Sequence, residues 1–521
     1  MEIKFLGQAG LLISGKNCKL LCDPWFSETG GFLARWHQFP SNENIDKKLF
    51  DDIDYLYVSH EHHDHFDESF LDTLPKDTKI IIANYFSKSF KNSFKKIGFT
   101  NIFELNDWEQ KNLSENFDVT IVTDPGKYKR DSSLLIKCDG FTILNKNDCY
   151  LSQEYMERFS KIGIDLLFTQ FSGAIWYPMV YDYDLQTNQN AIQSVLSRLE
   201  DTFVNVVNMI NAKYVVPSAG PPCFLENDCF DYNFVNSGIF PDHSDFLPKI
   251  NDKILESKIS LMMPDDNVSL NSNEEIIFDN QNSFNFKQKK QYLIEYQKKR
   301  LPYIQKFLED IPEPSNNLYE KFKNHINDLI NSSKYFSSNI EQLVEFNIVG
   351  KNGGTWQVDF QQSIPQIYEN SIGKPHCQFT IESKFLNMIL NEQLEWEELF
   401  LSLRFQVKRE PDIYNGALFA LLQYGGDSNI MQRIENLDLK SKCPETVIVK
   451  SNNKNFKIQR SCPHMGEDLK NAKIEDGILV CPRHQWNFDL NKNGKCIKGG
   501  DKDLAIFSTT DIDDAEDSGI V

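Results

Sequence analysis

The chain has 521 residues, of which 40% are hydrophobic and 12% are aromatic. This length predicts three or four domains of ordinary size, and the composition is sufficient for packed cores. The formal net charge of −20 at pH 7 argues against non-specific binding to nucleic acid or to anionic membranes. No apolar run reaches the length of a membrane span, and the segment Met1–Gly7 lacks the pattern of a signal peptide.

Residues 1–265 alternate short apolar runs with helical patterns, which predicts an α/β domain within a multidomain α/β chain. The expected strands include Lys19–Cys22, Tyr55–Val58, Lys79–Ala83, Val119–Val122, Ser133–Lys137, Phe141–Leu144, Asp165–Thr169 and Tyr214–Pro217. A helical segment is expected over 266–345. A small α+β module over 346–428 should follow, with a helix over Phe385–Leu394 and a strand over Phe400–Lys408. An all-β domain over 429–510 and an acidic tail over 511–521 complete the predicted organisation.

A dense group of histidines follows the predicted strand Tyr55–Val58. His60, His62, Asp64 and His65 form the pattern H-x-H-x-D-H, which resembles the metal motif of the metallo-β-lactamase superfamily. A loop leaving a strand would direct alternate imidazoles at one metal, while the Asp-His pair addresses an adjacent site. Neutral imidazole and carboxylate suit borderline metals such as zinc or iron. A solvated polar loop would not need this many histidines, so the pattern predicts a metal site.

Two aspartates match other positions of that superfamily. Asp23 corresponds to the early aspartate that braces the metal loop, and Asp148 to the aspartate that bridges two metals. The superfamily also supplies two further histidines, and neither is present in the matching segments 124–132 and 217–222. Asp131 or His243 could supply a missing ligand, and the sequence leaves both open. The resemblance implies an αββα sandwich. The two missing histidines argue against a complete two-zinc hydrolase centre.

A second metal motif lies near the end of the chain. Cys462, His464, Cys481 and His484 follow the pattern C-x-H, sixteen residues, C-x-x-H. This is the ligand spacing of a Rieske [2Fe–2S] cluster, in which two thiolates hold one iron and two imidazoles the other. The alternative is a zinc ribbon, which more often uses paired C-x-x-C knuckles. The motif therefore predicts a C-terminal Rieske domain that transfers single electrons.

The two motifs together favour redox chemistry. Zinc has no redox chemistry, so a Rieske cluster has no reason to accompany a purely hydrolytic zinc site. We therefore expect iron at the histidine-rich site, where it would receive electrons and activate O₂. The alternative is a metallo-β-lactamase-fold hydrolase of the lactonase or phosphodiesterase type, with zinc in the histidine-rich site and the cluster as a redox sensor.

The chain also resembles the CMP-N-acetylneuraminate hydroxylase family, which combines the same two kinds of domain. Beyond the metal motifs, the resemblance covers these segments: Asp23–Phe26, Ala34–Pro40, Leu144–Cys149, Phe171–Ala174, Tyr177–Met179, Pro217–Gly220, Trp396–Phe400 and Arg409–Tyr414. It implies a monooxygenase that hydroxylates a nucleotide-sugar acid or a related N-acyl substrate. The family carries its Rieske domain before the lactamase-like domain, whereas here the order is reversed. That departure suggests a divergent branch.

The same resemblance implies an electron-donor protein, such as a small cytochrome or a ferredoxin with its reductase. The candidates for contacting nucleotide phosphates are Lys127, Lys129, Arg130 and Arg35.

The eleven cysteines do not suggest a disulfide scaffold in a chain this long. An iron–sulfur protein without an export signal is expected in the reducing cytoplasm.

Overall fold

The computed structural model describes residues 1–126, 128–270, 275–280, 283–440, 445–464, 466–483, 485–500 and 502–511. Contacts divide the chain into two units. The first unit comprises Met1–Pro125, Lys129–Pro312 and Glu398–Arg404. The second comprises Gly126–Tyr128, Glu313–Glu397 and Phe405–Val521.

The first unit contains two large sheets. In spatial order, the eight-stranded sheet consists of Ile276–Asp279, Asn267–Leu270, Glu2–Gly7, Gly10–Ser14, Lys19–Cys22, Tyr55–Tyr57, Lys79–Ala83 and Ile102–Leu105. The seven-stranded sheet consists of Lys258–Ile259, Tyr214–Ser218, Leu166–Gln170, Phe141–Asn147, Ser132–Cys138, Phe117–Thr123 and Gln110–Ser114. A separate two-stranded ribbon pairs His37–Gln38 with Pro222–Cys223.

The two sheets share one apolar core, and helices cover the outer face of the second sheet. Leu134 and Ile136 belong to the core that also contains residues of the first sheet, whereas Leu135 belongs to a core shared with helical residues such as Phe203. This assignment follows from the alternation of side chains along a strand. The helices of the unit are Glu68–Leu71, Ser89–Lys96, Gln153–Ile162, Leu185–Ile210, His243–Ile250 and Lys289–Asp310. The arrangement is the αββα sandwich predicted from the sequence.

Strand direction places the predicted site residues at one edge of each sheet. The strand Lys19–Cys22 runs parallel to Tyr55–Tyr57, and Asp23 and Ser59–His60 follow their carboxyl ends. In the other sheet, Phe141–Asn147 runs parallel to Leu166–Gln170, and Asp148 follows the first of these strands. Loops at the carboxyl ends of parallel strands are a common location for ligand-binding residues.

The second unit contains one mixed sheet and two small antiparallel sheets. The mixed sheet consists of Gln366–Tyr368, Gly354–Asp359, Leu343–Val349, Cys377–Glu382 and Phe405–Arg409. Its helices are Leu318–Ser332, Lys334–Ile340, Ser383–Leu390, Gly416–Tyr424 and Ser428–Lys440. The small sheets are Thr446–Ser451 with Lys454–Gln459 and Ile506–Asp511, and Lys473–Glu475 with Ile478–Val480, Asn487–Asp489 and Lys495–Lys498.

Two local expectations from the sequence were wrong. The run Phe400–Lys408 is not one strand, because the helix Trp396–Leu401 ends within it and a strand begins only at Phe405. The segment over 266–345 is not helical throughout, since it begins with the strands Asn267–Leu270 and Ile276–Asp279. Within the described part of the chain, every helix is too short or too polar to cross a bilayer.

Candidate metal centres

The histidine loop is anchored by Asp23 from the neighbouring strand. The carboxylate of Asp23 accepts the Ser59 N–H at 2.7 Å, and its second oxygen lies 3.5 Å from Nδ1 of His65. Asp23 has a φ of 40°, in the left-handed region, and is fully buried. Aspartate is one of the few residues other than glycine that adopt this region readily. Asp23 therefore braces the loop from beneath, as the superfamily resemblance implied.

Three predicted ligands converge on one small space. Nε2 of His65 lies 3.4 Å from one Asp148 oxygen, and Nε2 of His60 lies 3.9 Å from the other. Ligand atoms of these three residues all lie within 4.8 Å of one another. Nε2 of His65 and Oδ1 of Asp148 are buried and have no hydrogen-bond partner. Buried polar atoms normally have partners, so this pair fits a bound cation.

The other two predicted ligands lie beside the same space. Nδ1 of His62 is 2.9 Å from Nε2 of His60. Oδ2 of Asp64 is 3.7 Å from Nε2 of His65 and accepts the Gln8 amide at 2.9 Å. The structure therefore brings all five predicted residues of this site together.

Electrostatics at the centre also suit a cation. Burial works against the charged form of His65, but the carboxylates of Asp148 and Asp64 outweigh it and raise the His65 pKa. Burial would raise the pKa of Asp148, whereas His65 and His60 lower it. Burial, together with His65, lowers the pKa of His60 to about 3. The carboxylates thus favour a positive charge beside them, which is a proton on His65 or a metal that displaces this proton on binding, while His60 is already neutral.

Asp131 is a further acidic group at the centre. Its Oδ1 lies 3.2 Å from Nδ1 of His60, and burial together with Asp148 raises its pKa to about 8. The sequence left open whether Asp131 or His243 replaces a missing histidine. Asp131 meets the Nδ1 side of His60, whereas Nε2 of His60 faces Asp148, so Asp131 lies where it can orient that ring and is not among the converging ligand atoms.

His243 occupies a different environment. Its Nε2 lies 3.3 Å from the carbonyl oxygen of Pro217, and its ring packs 4.4 Å from that of Phe171. Burial lowers the pKa of His243 to about 4. Its described contacts are those of a core histidine.

The depressed pKa of His243 predicts a pH-dependent stability. The ordinary histidine pKa is about 6.5, so between pH 6.5 and pH 4 the unfolded chain binds this proton more readily than the folded chain. Stability is therefore lost as the pH falls through that window. We expect His243→Phe, which cannot titrate, to reduce the loss in unfolding free energy by up to about 3 kcal/mol. Denaturant unfolding at several pH values tests this, and an unchanged pH slope would contradict it.

A hydroxyl network beneath the metal loop was not predicted from the sequence. The Tyr85 hydroxyl donates to the carbonyl oxygen of Ser59 and lies 3.0 Å from Oγ of Ser132, and the Tyr57 hydroxyl donates to the carbonyl oxygen of Ser132 at 2.8 Å. Ser132 also donates to the Ser59 carbonyl at 3.0 Å. These bonds connect the two sheets directly below the ligands. No local pattern signals them, since Tyr57 lies in a run typical of an ordinary strand and Tyr85 lies just beyond the strand Lys79–Ala83.

Cys462, His464 and Cys481, three of the four predicted cluster-binding residues, lie on two loops of the small antiparallel sheets. Cys462 follows the strand Lys454–Gln459, and Cys481 directly follows Ile478–Val480. Both cysteines are buried, and neither is in a disulfide. His464 is half-buried, and His484 lies outside the described residues. Buried thiols on paired loops fit a [2Fe–2S] cluster, which is held by cysteine and histidine.

Aromatic rings flank His464. Its imidazole stacks on Trp486 at 4.4 Å with an interplanar angle of 6°, and Tyr414 meets it edge-on at 5.8 Å. The backbone of Tyr414 forms a bridge to Gly500. The position of His464 is therefore fixed from two sides.

Both arginines considered for phosphate contacts have carboxylate partners. Arg35 contacts Asp228 at 2.8 Å, and Arg130 forms an ion pair with Glu61. A second acidic group with metal-like spacing, Glu226, Asp228 and Cys229, includes the partners of Arg35. That group is already neutralised by a guanidinium, so it is an ion-pair network. Lys127 lies outside the described residues.

Comparison with known proteins matches both parts of the chain. Residues 2–219 match the β-lactamase superfamily domain, and residues 428–507 match the Rieske [2Fe-2S] domain. The chain is 28% identical over 524 residues to a Mycolicibacterium smegmatis protein assigned as a Rieske 2Fe-2S iron-sulfur protein. That alignment covers 95% of this chain and 98% of the relative.

Two further relatives match only parts of the chain. Cytidine monophosphate-N-acetylneuraminic acid hydroxylase of Danio rerio is 25% identical over 238 residues, covering 42% of this chain and 38% of the relative. A UPF0173 metal-dependent hydrolase of Pyrococcus abyssi is 28% identical over 175 residues, covering 31% of this chain and 67% of the relative. The chain thus joins an N-terminal metallo-β-lactamase fold to a C-terminal Rieske domain and is homologous to the mycobacterial Rieske protein.

Proposed function

We propose that the chain is a Rieske-dependent non-haem iron monooxygenase. The observation that supports this best is the pair of sites in one polypeptide: a Rieske domain and a buried cluster of imidazoles and carboxylates. A Rieske cluster moves single electrons, and zinc cannot accept them. Iron in the histidine cluster gives the electron a destination, whereas zinc does not.

The residues have distinct proposed roles. His60, His62, Asp64, His65 and Asp148 would hold the iron, and Cys462, His464, Cys481 and His484 would hold the [2Fe–2S] cluster. When bound, the cluster supplies electrons and the iron supplies reactivity toward O₂. The protein's contribution is placement: Asp23 fixes the loop, and burial keeps His60 neutral and able to bind a metal.

We further propose that the substrate is a nucleotide-sugar acid or a related N-acyl compound. The support is the similarity to the Danio rerio hydroxylase, whose name specifies that chemistry and of which 38% is matched. Arg35 and Arg130 already contact carboxylates, so they would not be the first groups to meet a phosphate. The electrons would come from an external carrier, either a small cytochrome or a ferredoxin with its reductase.

A second function is a metal-dependent hydrolase in which the cluster is a redox sensor. The similarity to the Pyrococcus abyssi protein, which is named as a hydrolase, favours this alternative. In that case zinc would fill the histidine cluster.

Metal analysis combined with O₂ uptake distinguishes the two functions. The protein is purified anaerobically, and its iron, zinc and electron paramagnetic resonance spectrum are measured. For the oxygenase we expect iron in excess of the two atoms of the cluster, and O₂ consumption only when a reductant is added. Zinc in the histidine cluster, with lactone or phosphodiester hydrolysis that persists in Cys462→Ser, would instead establish the hydrolase.

A further inference from the structure

His63 lies within the metal motif but has two other partners. Its Nδ1 accepts the Phe32 N–H at 3.0 Å, and its Nε2 lies 2.6 Å from Oε1 of Glu398. Because Nδ1 is an acceptor, the ring proton is on Nε2, which donates to Glu398. Both ring nitrogens are therefore engaged, which leaves His63 as a fixed point between His62 and Asp64 and not as a ligand.

The surroundings of His63 are built to hold the ring in place. The Phe32 ring stacks on the His63 ring, with 5.0 Å between the ring centroids and an interplanar angle of 25°. At Gly31, an added side-chain carbon would lie 3.1 Å from Cβ of His63, so the loop approaches His63 closely. The Phe32 ring also meets the His62 ring edge-on, with 5.9 Å between the ring centroids.

Glu398 begins a short segment that belongs to the first unit although its flanking residues belong to the second. The segment Glu398–Arg404 is part of the first unit, whereas Glu313–Glu397 and Phe405–Val521 are not. The segment is anchored to the loop over 31–36 at several points. Trp36 donates its indole N–H to the Leu401 carbonyl at 2.8 Å, and Arg35 donates to the Ser402 carbonyl at 3.2 Å.

Arg404, the last residue of the segment, is also bound to the rest of the first unit. Arg404 donates to the Leu33 carbonyl at 3.0 Å and forms an ion pair with Glu226 at 2.6 Å. The carboxylate of Glu398 is thus presented to His63 by a segment whose backbone and side chains are bound along its length.

We propose that Glu398 is a positioning residue of the histidine metal centre, acting through the His63 ring. This inference rests on the proposed metal-binding role of His60, His62, Asp64 and His65. The Phe32 amide and Glu398 hold the His63 ring from two sides. His63 thereby fixes the backbone before and after it, so that the adjacent ligands His62 and Asp64 keep their orientation. Carboxylates that accept the N–H of a metal-ligating histidine typically change metal affinity 10–100-fold when they are removed, and we carry this range over to Glu398, which acts through a histidine next to the ligands.

The test uses Co²⁺ binding by the full-length protein with its cluster in place, so that the cluster occupies the thiolates. The histidine centre is cleared with a chelator and titrated with Co²⁺, and the visible difference spectrum gives both affinity and ligand geometry. We expect Glu398→Gln to weaken Co²⁺ binding roughly 10–100-fold and to alter the spectrum. Glu398→Asp, which keeps the carboxylate, should restore part of the affinity.

Two matched variants complete the experiment. Glu397→Gln changes the neighbouring carboxylate, which accepts from Gln423 and Tyr424, and should leave Co²⁺ binding within about twofold of the wild type. The double variant Glu398→Gln/His63→Gln should bind Co²⁺ no more weakly than the weaker of the two single variants, because both substitutions break the same contact.

The outcomes separate the inference from the proposal on which it rests. If the wild-type protein binds no Co²⁺ at this centre, the metal centre and the role of Glu398 both fail. If the wild type binds Co²⁺ and Glu398→Gln matches it in affinity and spectrum, only the role of Glu398 fails. If the loss of Co²⁺ affinity in the double variant equals the product of the losses in the two single variants, Glu398 does not act through His63. Circular dichroism and the melting temperature of the metal-free variants exclude a general loss of folding.

Discussion

Replacing Cys481 with serine is expected to remove the [2Fe–2S] cluster and, with it, all reductant-dependent O₂ consumption. Cys481 is fully buried in the apolar core of its domain, and a serine hydroxyl is a poor substitute for a thiolate as an iron ligand. The electron paramagnetic resonance signal of the reduced cluster should fall to background. Metal in the histidine centre should remain, because none of its proposed ligands is changed.

Cys496→Ser provides the control for this experiment. Cys496 lies on the strand Lys495–Lys498 of the same domain and is partly exposed, and it is not one of the proposed cluster ligands. This variant should keep the cluster signal and the O₂ uptake. A cluster signal that survives Cys481→Ser would contradict the proposed ligand set, and O₂ uptake that survives loss of the signal would contradict the oxygenase.

Replacing His65 with glutamine is expected to abolish metal binding at the histidine centre. His65 is fully buried, and its Nε2 faces Asp148 with no hydrogen-bond partner of its own. Loss of a proposed ligand should weaken binding by more than the roughly 100-fold upper range for residues that only orient ligands. The wild-type protein should gain about 2.7 kcal/mol of unfolding free energy at a metal concentration 100 times the dissociation constant, and the variant should gain none.

His376→Gln is the matched control, since His376 lies in the second unit and its Nδ1 accepts the Leu343 N–H. Its metal content and metal-dependent stabilisation should equal those of the wild type. Thermal unfolding with and without added Fe²⁺ or Zn²⁺ measures the stabilisation, and elemental analysis measures the content. Full metal content in His65→Gln would show that His65 is not a ligand.

Much of the metal centre was predictable because its residues follow strands in a simple order. The H-x-H-x-D-H spacing fixes which side chains leave the loop together, and Asp23 and Asp148 each follow an apolar run. Parallel strands bring such residues to one edge of a sheet, so linear order translates into proximity. The αββα arrangement was predictable for the same reason.

The contacts that depend on distant segments were not predictable. Glu398 lies in a different predicted module from His63, and only the tertiary fold brings them together. Asp131 and His243 were equivalent in the sequence, and only the tertiary structure shows that Asp131 approaches Nδ1 of His60 while His243 lies against the Pro217 carbonyl. The run over 400–408 alternates apolar and polar residues from Leu401 onward, which predicted a single strand. Leu403 instead adopts a φ of 57°, which ends the helix before the strand begins.

The backbone at two strand ends sets a limit on how far this domain can be stabilised by design. Asp23 and Asn147 have φ values of 40° and 46°, a conformation that costs an ordinary residue about 1–2 kcal/mol and glycine almost nothing. Aspartate and asparagine tolerate this region better than other residues, so glycine at either position would relieve only part of that cost. It would also remove the Asp23 carboxylate below Ser59, or the Asn147 side chain that accepts the Cys149 N–H next to Asp148. Each lost side chain leaves a buried backbone N–H without its partner, which costs about 1–3 kcal/mol and cancels the gain from a relaxed backbone. Glycine, the usual stabilising choice at a positive φ, is therefore closed to these two positions, and the metal centre would lose a support as well.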